Sequence, residues 1–463
     1  MPNLTDLAFK QWLYEEELAF QREVQAYRDY YAGDQLSFLN DRLRDFLNVP
    51  GKTLDFQMNV CRAVVNAVTE RLGVDGFGVS DERLLEWAAK LWSNNNMAIQ
   101  SGNAHHAAVR DGESFVIVTY ENGRPELKVH NRFVDSQAGG DGDGCKITYP
   151  GGDANAAPLF ASKRWLDDTS RANSFQRMTV YYPERIEKFE WSGGWTPYRD
   201  EGDPGWPIAW KNNDGPLGIP IFHFAQPDAR SELSDAVYMQ NAVNKILLDM
   251  LASADVGAFR ILLGHGFPMP TTDGEALAAD ASNAIKVKPG TYIHTTEAGA
   301  GIDSINGEDP TPLVNMLGQL VMWLSVVTDT PISRFQFTGQ IAAEGTLKQQ
   351  EITLLSKVKD RQIRFGGAWN AALDMARKLE NTFGAGGLDE TIPFAVDWRP
   401  ADTRSDADQQ AEWRIKSEVG VPQAQLWREM GYTDEQIASM LVEREAELAM
   451  KQRVAAASSG AQR

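Results

Sequence analysis

The stretch ELSDAVYMQNAVNKILLDMLASADVGA, residues 232–258, contains no proline and no glycine before Gly257. The apolar side chains along it are Val237, Ala242, Ile246, Leu247, Met250 and Leu251. At 1.5 Å per residue, a helix over this stretch is about 40 Å long. A helix of that length needs neighbours to cover its apolar stripe, so the stretch predicts a rod that packs against other helices.

A second rod is predicted beyond a short insert. Residues 259–309 are interrupted by glycine and proline and contain strand-like segments at 259–263 and 284–287, which predicts a small α/β unit. Thr311-Pro312 is a favoured start for a helix that runs to about Val327. Two helices that return beside each other around a small insert indicate a pillar repeated in a symmetric ring.

A flexible stretch and the longest predicted helix follow. Residues 329–346 are rich in glycine and small residues. The helix from Leu347 to about Thr382 is about 50 Å long if unbroken, and Gly366-Gly367 is the place where a bend is expected. Beyond it, residues 393–398 predict a strand. The tail from about Thr403 predicts further helices, with a capping box at Thr433-Asp-Glu-Gln436.

The first 231 residues predict helices followed by mixed α/β structure. The helices are expected from Leu4 to about Leu47 with an interruption at 32–34, over 59–71, from the N-cap Asp81, and over 98–110. The turn Asn122-Gly123 between residues 113–120 and 126–130 predicts a β-hairpin. Further strands are predicted at 178–182 and 186–191, and residues 138–158 predict a surface loop. The predicted class is α+β, mainly α.

Composition excludes several kinds of protein. Of the 463 residues, 43% are hydrophobic, which supports folded cores and excludes wholesale disorder. The 45 Lys and Arg stand against 64 Asp and Glu, giving a net charge of −19 that repels nucleic acid on average and argues against a DNA-clamping repressor. Cys61 and Cys145 provide neither a disulfide framework nor a cysteine-rich zinc site, and favour a reducing compartment. No stretch reaches the roughly 20 apolar residues of a membrane span.

The usual signatures of catalysis are missing from the sequence. It has no phosphate-binding loop, nucleophile elbow, zinc-protease motif or dinucleotide fingerprint. His105 and His106 are adjacent and point to different faces of a helix, so a surface helix is expected there rather than a metal site. Asp141-Gly-Asp-Gly144 lacks the later ligands of a calcium loop and predicts a solvated turn. An acid–base pair among the carboxylates stays open, but the sequence localises none; no cofactor, metal or enzymatic activity is predicted.

The longest predicted helix allows two interpretations. Its apolar positions include Ile352, Leu355, Val358, Ile363, Trp369, Leu373 and Ala376, and its N-terminal half carries Lys348, Lys357, Lys359, Arg361 and Arg364. The first interpretation is a core helix with a solvated basic face. The second is that this basic half, with the glycine-rich stretch before it, faces a polyanion.

Several short motifs occur in a fixed order along the chain. They are Tyr30-Tyr-Ala-Gly-Asp34, Asn59-Val-Cys-Arg-Ala-Val-Val65, Arg71-Leu-Gly-Val-Asp-Gly-Phe77, Gly215-Pro-Leu-Gly-Ile-Pro-Ile221, Arg230-Ser-Glu-Leu-Ser-Asp235, Asn241-Ala-Val-Asn-Lys-Ile-Leu-Leu-Asp249, Thr328-Asp-Thr-Pro331, Phe337-Thr-Gly339 and the Gly345-led start of the longest helix. In this order, which spans most of the chain, they resemble the portal proteins of tailed bacteriophages, in the branch found in siphophages of actinobacteria.

The resemblance implies a portal-like subunit with seven regions. They are a wing of N-terminal helices and mixed α/β structure (residues 1–231), a stem helix (232–258), a small α/β clip (259–309), a second stem helix (310–328), a tunnel loop (329–346), a long helix with the return to the wing (347–402), and a crown-like helical tail with a frayed C-terminus (403–463).

The same resemblance implies a function and a set of partners. Portal proteins form a ring, dodecameric in this family, at one capsid vertex of the virion, and the DNA enters and leaves through it. The implied partners are further copies of the chain, the large terminase subunit, the head–tail adaptor or connector, the major capsid and scaffolding proteins, and double-stranded DNA in transit, with no membrane. Assembly in the host cytoplasm is expected.

The residues expected near DNA follow from their place in the family layout. They are Arg334, Phe335, Gln336, Phe337, Gln340, Glu344 and Thr346, with Lys245 and Lys348 as further candidates. An acidic subunit suits such a conduit, because each cation that neutralises a phosphate strengthens binding and would slow the passage of DNA. Two other functions stay open at this point: another structural protein of the virion, such as a minor head or adaptor subunit, and an acidic soluble hydrolase.

Overall fold

The chain contains both helices and antiparallel sheets, which confirms the predicted α+β class. The computed structural model describes residues 7–35, 57–153, 156–167, 176–258, 261–265, 299, 301–305, 309–335, 344–402, 406–430, 432 and 436–444. By its internal contacts the chain divides into two units, residues 1–401 and 402–463.

The N-terminal helices begin and end close to where the sequence predicts. They are α1 (Leu7–Ala32), α2 (Cys61–Thr69), α3 (Glu82–Asn94) and α4 (Met97–Asp111). The carboxylate of Asp81 accepts a hydrogen bond from the backbone N–H of Leu84 at 2.7 Å, which confirms the predicted N-cap of α3. The predicted continuation of the first helix to about Leu47 lies outside the described residues.

Two antiparallel sheets occupy the middle of the first unit. β2 (Glu113–Glu121) and β3 (Arg124–Asn131) form the predicted hairpin, and β12 (Ile221–Ala225) pairs with the other edge of β2. The second sheet contains β4 (Gly144–Thr148), β5 (Phe160–Leu166), β6 (Gln176–Tyr181), β7 (Arg185–Trp191), β8 (Trp195–Pro197) and β9 (Ile208–Ala209). Its strand order is β4-β5-β6-β7-β8, with β9 also paired to β7. A small ribbon of β10 (Lys211–Asn212) and β11 (Gly215–Pro216) follows.

The prediction of a surface loop over residues 138–158 is wrong at its centre, where β4 lies. Cys145 in this strand is fully buried among Phe115, Tyr181 and Ile221 at the junction of the two sheets. Gly144 has φ +138°, and a Cβ there would lie 2.5 Å from the backbone nitrogen of Phe133. The glycine that breaks the sequence pattern is therefore needed for close packing of the strand.

The second half of α4 is buried inside the first unit, whereas Ala98, Ile99, Gly102 and Asn103 in its first half are exposed. The helix packs against α1, α2, β2 and β3. The prediction of a surface helix at His105-His106 is consequently wrong for His105, which is completely buried. His106 is partly buried and contacts the ring of Tyr31 edge-on, with a centroid distance of 4.7 Å.

The two predicted rods and the insert between them are present in part. They are α5 (Ala236–Ala258) and α6 (Thr311–Val327), and the insert contains the antiparallel pair β13 (Ile261–His265) and β14 (Gly301–Ile305). The strand predicted at 284–287 lies outside the described residues. α5 begins at Ala236 and not at Glu232, because residues 231–235 form a turn in which the Ser231 hydroxyl accepts the N–H of Leu233 and donates to the carbonyl of Arg110.

The longest predicted helix is α7 (Glu344–Phe383), and its second half is the centre of the main core. Its fully buried side chains there are Phe365, Trp369, Ala372, Leu373, Ala376 and Leu379. The helix continues without interruption through Gly366-Gly367. A Cβ at Gly366 would lie 3.3 Å from Nε1 of Trp398, so this glycine allows close packing of the next strand. That strand, β15 (Ala395–Trp398), confirms the predicted one and pairs with β1 (Val74–Gly78).

The second unit is helical in its described part, as predicted. It contains α8 (Asp406–Val419), α9 (Gln423–Glu429) and helical residues at 436–444. Leu426 and Ile437 are buried, whereas Ile415, Val419 and Val442 are exposed. Most of the predicted capping box, Thr433 to Glu435, lies outside the described residues.

Candidate functional site

α5 and α6 pack against each other through apolar side chains. Val243 and Ile246 of α5 meet Leu320 of α6, and Met239, Leu247, Met250 and Leu317 surround them. Leu324 of α6 is fully buried in the main core, which ties the end of α6 to the rest of the first unit. The two helices therefore form the side-by-side pair that the sequence predicts.

Buried amide groups attach the first half of α5 to the N-terminal helices. The Gln240 side chain accepts the N–H of Val60 at 2.9 Å and donates to the carbonyl of Met58 at 2.6 Å. Asn244 donates to the side-chain oxygen of Gln35 at 2.6 Å. Because unpaired buried amides are costly, these bonds fix the rotation of α5 about its axis as well as its position.

α6 is apolar around much of its circumference. Its sequence from Thr311 to Val327 contains no charged residue. Its exposed apolar side chains are Val314, Met316, Met322, Trp323, Val326 and Val327. Trp323 is 50% exposed and Val326 is 71% exposed, so these side chains are uncovered in the isolated chain. A helix that is hydrophobic on all sides is normally enclosed by protein or by lipid.

The described part of the segment after α6 is held by local hydrogen bonds. The hydroxyl of Thr328 donates to the carbonyl of Leu324 at 2.8 Å, and that of Ser325 donates to the carbonyl of Thr330 at 2.6 Å. A short helical turn then occupies Ile332–Arg334. The chain thus leaves α6 in a defined direction.

The structure locates only some of the residues that the sequence places near DNA. The guanidinium of Arg334 forms an ion pair with Glu70 at 3.0 Å, and Phe335 packs against the main core. Lys245 forms an ion pair with Asp249 one helical turn away. Gln336, Phe337 and Gln340 lie outside the described residues, as do the side chains of Glu344, Thr346 and Lys348 in the first turns of α7. Proximity of these nine residues to DNA stays a prediction.

Three of the five basic residues in the N-terminal half of α7 form ion pairs within the subunit, and Lys359 is exposed. The ammonium group of Lys357 and the guanidinium of Arg361 both contact the carboxylate of Glu232. Arg364 forms an ion pair with Asp360 at 3.0 Å. These contacts favour the interpretation of a core helix over a surface that faces a polyanion. Sequence reasoning missed Glu232, which lies in the turn before α5 and gives no periodic signal.

Two features of the described residues bear on metal binding and on nucleophilic attack. No group of His, Cys, Asp and Glu side chains among them has the spacing of a metal site. Burial raises the pKa of the Cys61 thiol to about 12, which makes it a poor nucleophile. Within the same residues, no helix is both long enough and apolar enough to cross a membrane.

Comparison with known proteins supports one family over nearly the whole chain. The sequence model described as "Phage portal protein, SPP1 Gp6-like" matches residues 11–449. The portal protein of Mycobacterium phage D29 is 21% identical over 411 residues, which cover 80% of this chain and 75% of that protein. The portal protein of Mycobacterium phage L5 is 21% identical over 354 residues, which cover 69% of this chain and 64% of that protein. These matches confirm the resemblance drawn from the ordered motifs, and the chain belongs to the phage portal protein family.

Proposed function

We propose that this chain forms a ring-shaped channel at one capsid vertex, through which the phage genome is packaged and later ejected. In this proposal the ring docks the terminase motor during packaging and the head–tail connector afterwards. The observation that supports it most directly is the uncharged helix α6, whose exposed apolar side chains need a protein partner. Further copies of the same chain supply such a partner on both sides of each subunit in a closed ring.

Membership of the portal family supports a more general description of the function, which does not depend on how a ring would be built. The chain is a portal protein of the bacteriophage virion, a capsid-associated, oligomeric and structural component that functions with DNA. The family is not enzymatic, so the acidic hydrolase that the sequence left open is excluded.

The proposal assigns a role to each region of the chain. α5 and α6 form the stem, the insert with β13 and β14 forms the clip, and residues 329–346 form the tunnel loop. Residues 1–231 and 347–402 form the wing, and residues 403–463 the crown. The packing of α5 on α6 and the antiparallel pairing of β13 with β14 support the first two assignments.

The charge of the chain also supports a conduit. A net charge of −19 on each subunit is repeated around a ring, where it disfavours tight binding of phosphate. The pairing of Lys357, Arg361 and Arg364 with carboxylates removes cations that would otherwise hold DNA. The phosphate groups of DNA in transit are then only weakly attracted to the channel.

Substitutions on α6 test the ring. We expect Trp323→Glu and Val326→Glu to abolish assembly, because burying a carboxylate without a partner costs several kcal/mol. The matched control is Ile99→Glu on α4, where a single exposed apolar side chain, 60% exposed, is replaced by the same residue. The measurement is the mass distribution of the purified full chain. Rings that persist in both α6 variants, or are lost equally in the control, contradict the proposal.

A charge swap tests whether Arg334 acts on DNA or only within the subunit. Arg334→Glu removes the ion pair with Glu70, and the double variant Glu70→Arg with Arg334→Glu restores a pair of opposite charges. If Arg334 lies near DNA, packaging and retention of DNA stay impaired in both variants. Full recovery in the double variant assigns the residue a structural role, and unchanged packaging in the single variant removes it from the channel.

A further inference from the structure

Glu232, Lys357 and Arg361 form a nearly buried charged cluster where the two stem helices join the rest of the subunit. Their side chains are 6%, 11% and 13% exposed. Lys357 donates to Glu232 and to the backbone carbonyl of Thr328, the C-cap residue directly after α6. Arg361 donates to the second oxygen of Glu232 at 3.4 Å and to the side chain of Gln226 at 2.6 Å. We define these three side chains as the root cluster.

The root cluster contacts both chain segments that lead to and from the helix pair. Glu232 lies four residues before α5 begins, and Thr328 directly follows α6. Both cations come from α7, whose second half is the centre of the main core. The cluster therefore holds both ends of the helix pair, in addition to the buried side-chain bonds of Gln240 and Asn244 and the packing of Leu324.

The two cations of the root cluster lie near two helix ends and near a second carboxylate as well as Glu232. The end of α6 presents the negative end of a helix dipole, and the ammonium group of Lys357 binds the carbonyl of its C-cap residue, Thr328. The end of α4 lies nearby, because Gln226 bonds to the carbonyls of Gly112 and Val109, and the N–H of Glu232 donates to Val109 at 3.1 Å. Arg361 also pairs with Asp360 at 3.2 Å, so two carboxylates and two helix ends face the two cations.

Buried ion pairs of this kind add little net stability compared with apolar side chains of similar size, but they demand one geometry. We infer that the root cluster is a positioning device: it fixes the direction in which α5 and α6 leave the subunit and the path of the chain from Thr328 onward. This inference rests on the proposed function of α5 and α6 as the ring-forming stem. Glu232, Lys357 and Arg361 are therefore positioning residues for DNA passage and do not touch DNA.

Hydrogen exchange of the purified full chain tests the cluster without requiring a ring. Lys357→Met leaves Glu232 paired with Arg361 and removes the cation from the end of α6. We expect backbone amides of residues 324–335 to exchange about tenfold faster, since a hydrogen bond to a charged group is lost, while the rest of the chain is unchanged. Lys357→Arg should restore the slow exchange. A uniform increase along the chain, or no change, overturns the inference.

An apolar replacement tests the consequence for the ring. The triple variant Glu232→Met, Lys357→Met and Arg361→Met removes all three charges together and should keep the unfolding temperature of the parent. We expect its rings to vary in subunit number and to package at least about tenfold less DNA, the effect of roughly 1.4 kcal/mol on an equilibrium. Uniform rings with normal packaging in a stable triple variant overturn the inference. If the triple variant does not fold, the hydrogen-exchange result decides.

The control pair lies in the same turn before α5. Arg230 and Asp235 form an exposed ion pair at 2.7 Å, and Arg230→Gln with Asp235→Asn removes it without touching the root cluster. Rings and packaging should stay normal in this variant, and defects equal to those of the triple variant overturn the inference. If the unmodified chain forms no ring, the proposed function fails, whereas the exchange measurement on the subunit still tests the cluster.

Discussion

A single buried imidazole shows how residues of distant segments are held together. Nδ1 of His105 lies 2.9 Å from the carbonyl of Leu72, and Nε2 accepts the indole N–H of Trp369 at 2.8 Å. The ring also stacks on Phe365. Only the neutral tautomer with its proton on Nδ1 satisfies both hydrogen bonds. This one side chain therefore links α4, α7 and the segment after α2.

The free energy of unfolding should depend on pH through the protonation of His105. Burial lowers the pKa of His105 to about 4 from 6.5, so the folded chain resists protonation that the unfolded chain accepts. The contribution of His105 to the free energy of unfolding is complete above pH 6.5. It falls as the pH drops toward 4, by up to about 3 kcal/mol. We expect the unfolding free energy of His105→Gln to fall less steeply over this interval, as measured by denaturant titration. Identical slopes for the two proteins would contradict the assignment.

Gly112 is a second residue whose identity is dictated by its surroundings. It ends α4 with φ +94°, and a Cβ there would lie 2.2 Å from the carbonyl oxygen of Ala229. We expect Gly112→Ala to lower the unfolding free energy by about 3 kcal/mol or more, from backbone strain and overpacking together. Gly123→Ala is the matched control, since φ is +74° and nothing lies within 4 Å of its Cβ; a loss of about 1 kcal/mol is expected. Equal losses at both glycines would contradict the role of the contact.

At the scale of elements, local signals in the sequence predict most helices and the first hairpin. The cap at Asp81 and the turn Asn122-Gly123 act within a few residues, so their outcomes are independent of the remaining fold. The predictions were wrong where contacts with distant parts of the chain determine whether a strand forms or where a helix begins. β4 is a strand because β5 and the buried Cys145 complete it, and α5 begins late because Ser231 bonds to the end of α4.

The candidate site also has parts that local sequence signals predict and parts that depend on distant contacts. The uncharged sequence of α6 is visible from Thr311 to Val327 without a structure, and so is its helical period. The root cluster cannot be predicted from the sequence, because Glu232 and Lys357 are 125 residues apart and come into contact only in the folded chain. The basic residues of α7 gave a pattern with two interpretations, and only their partners distinguish them.

The helices should differ widely in their resistance to local opening. The amides of residues 365–379 in α7 lie in the main core, whereas α8 exposes Ile415 and Val419. We expect the first set to exchange with solvent only on global unfolding and the amides of 410–419 to exchange at least about a hundredfold faster. Hydrogen exchange of the full chain by mass spectrometry measures both. Equal protection of the two helices would contradict this ranking of local stability.

At the scale of the whole molecule, two properties of the chain oppose each other. A net charge of −19 drives identical subunits apart, whereas the proposed association through the exposed apolar side chains of α6 would draw them together. Apolar association is short-ranged, and charge repulsion is screened beyond about 10 Å at 0.1 M salt. Association through α6 with acidic surfaces turned toward solvent or DNA satisfies both properties at once.

Electron microscopy of the purified full chain, viewed along the particle axis, tests this account most directly. The account predicts closed particles of many subunits around a central opening that admits duplex DNA, with α5 and α6 at the contacts between neighbours. Particles without an opening, or a chain that remains a single subunit both in solution and inside assembled capsids, would contradict it.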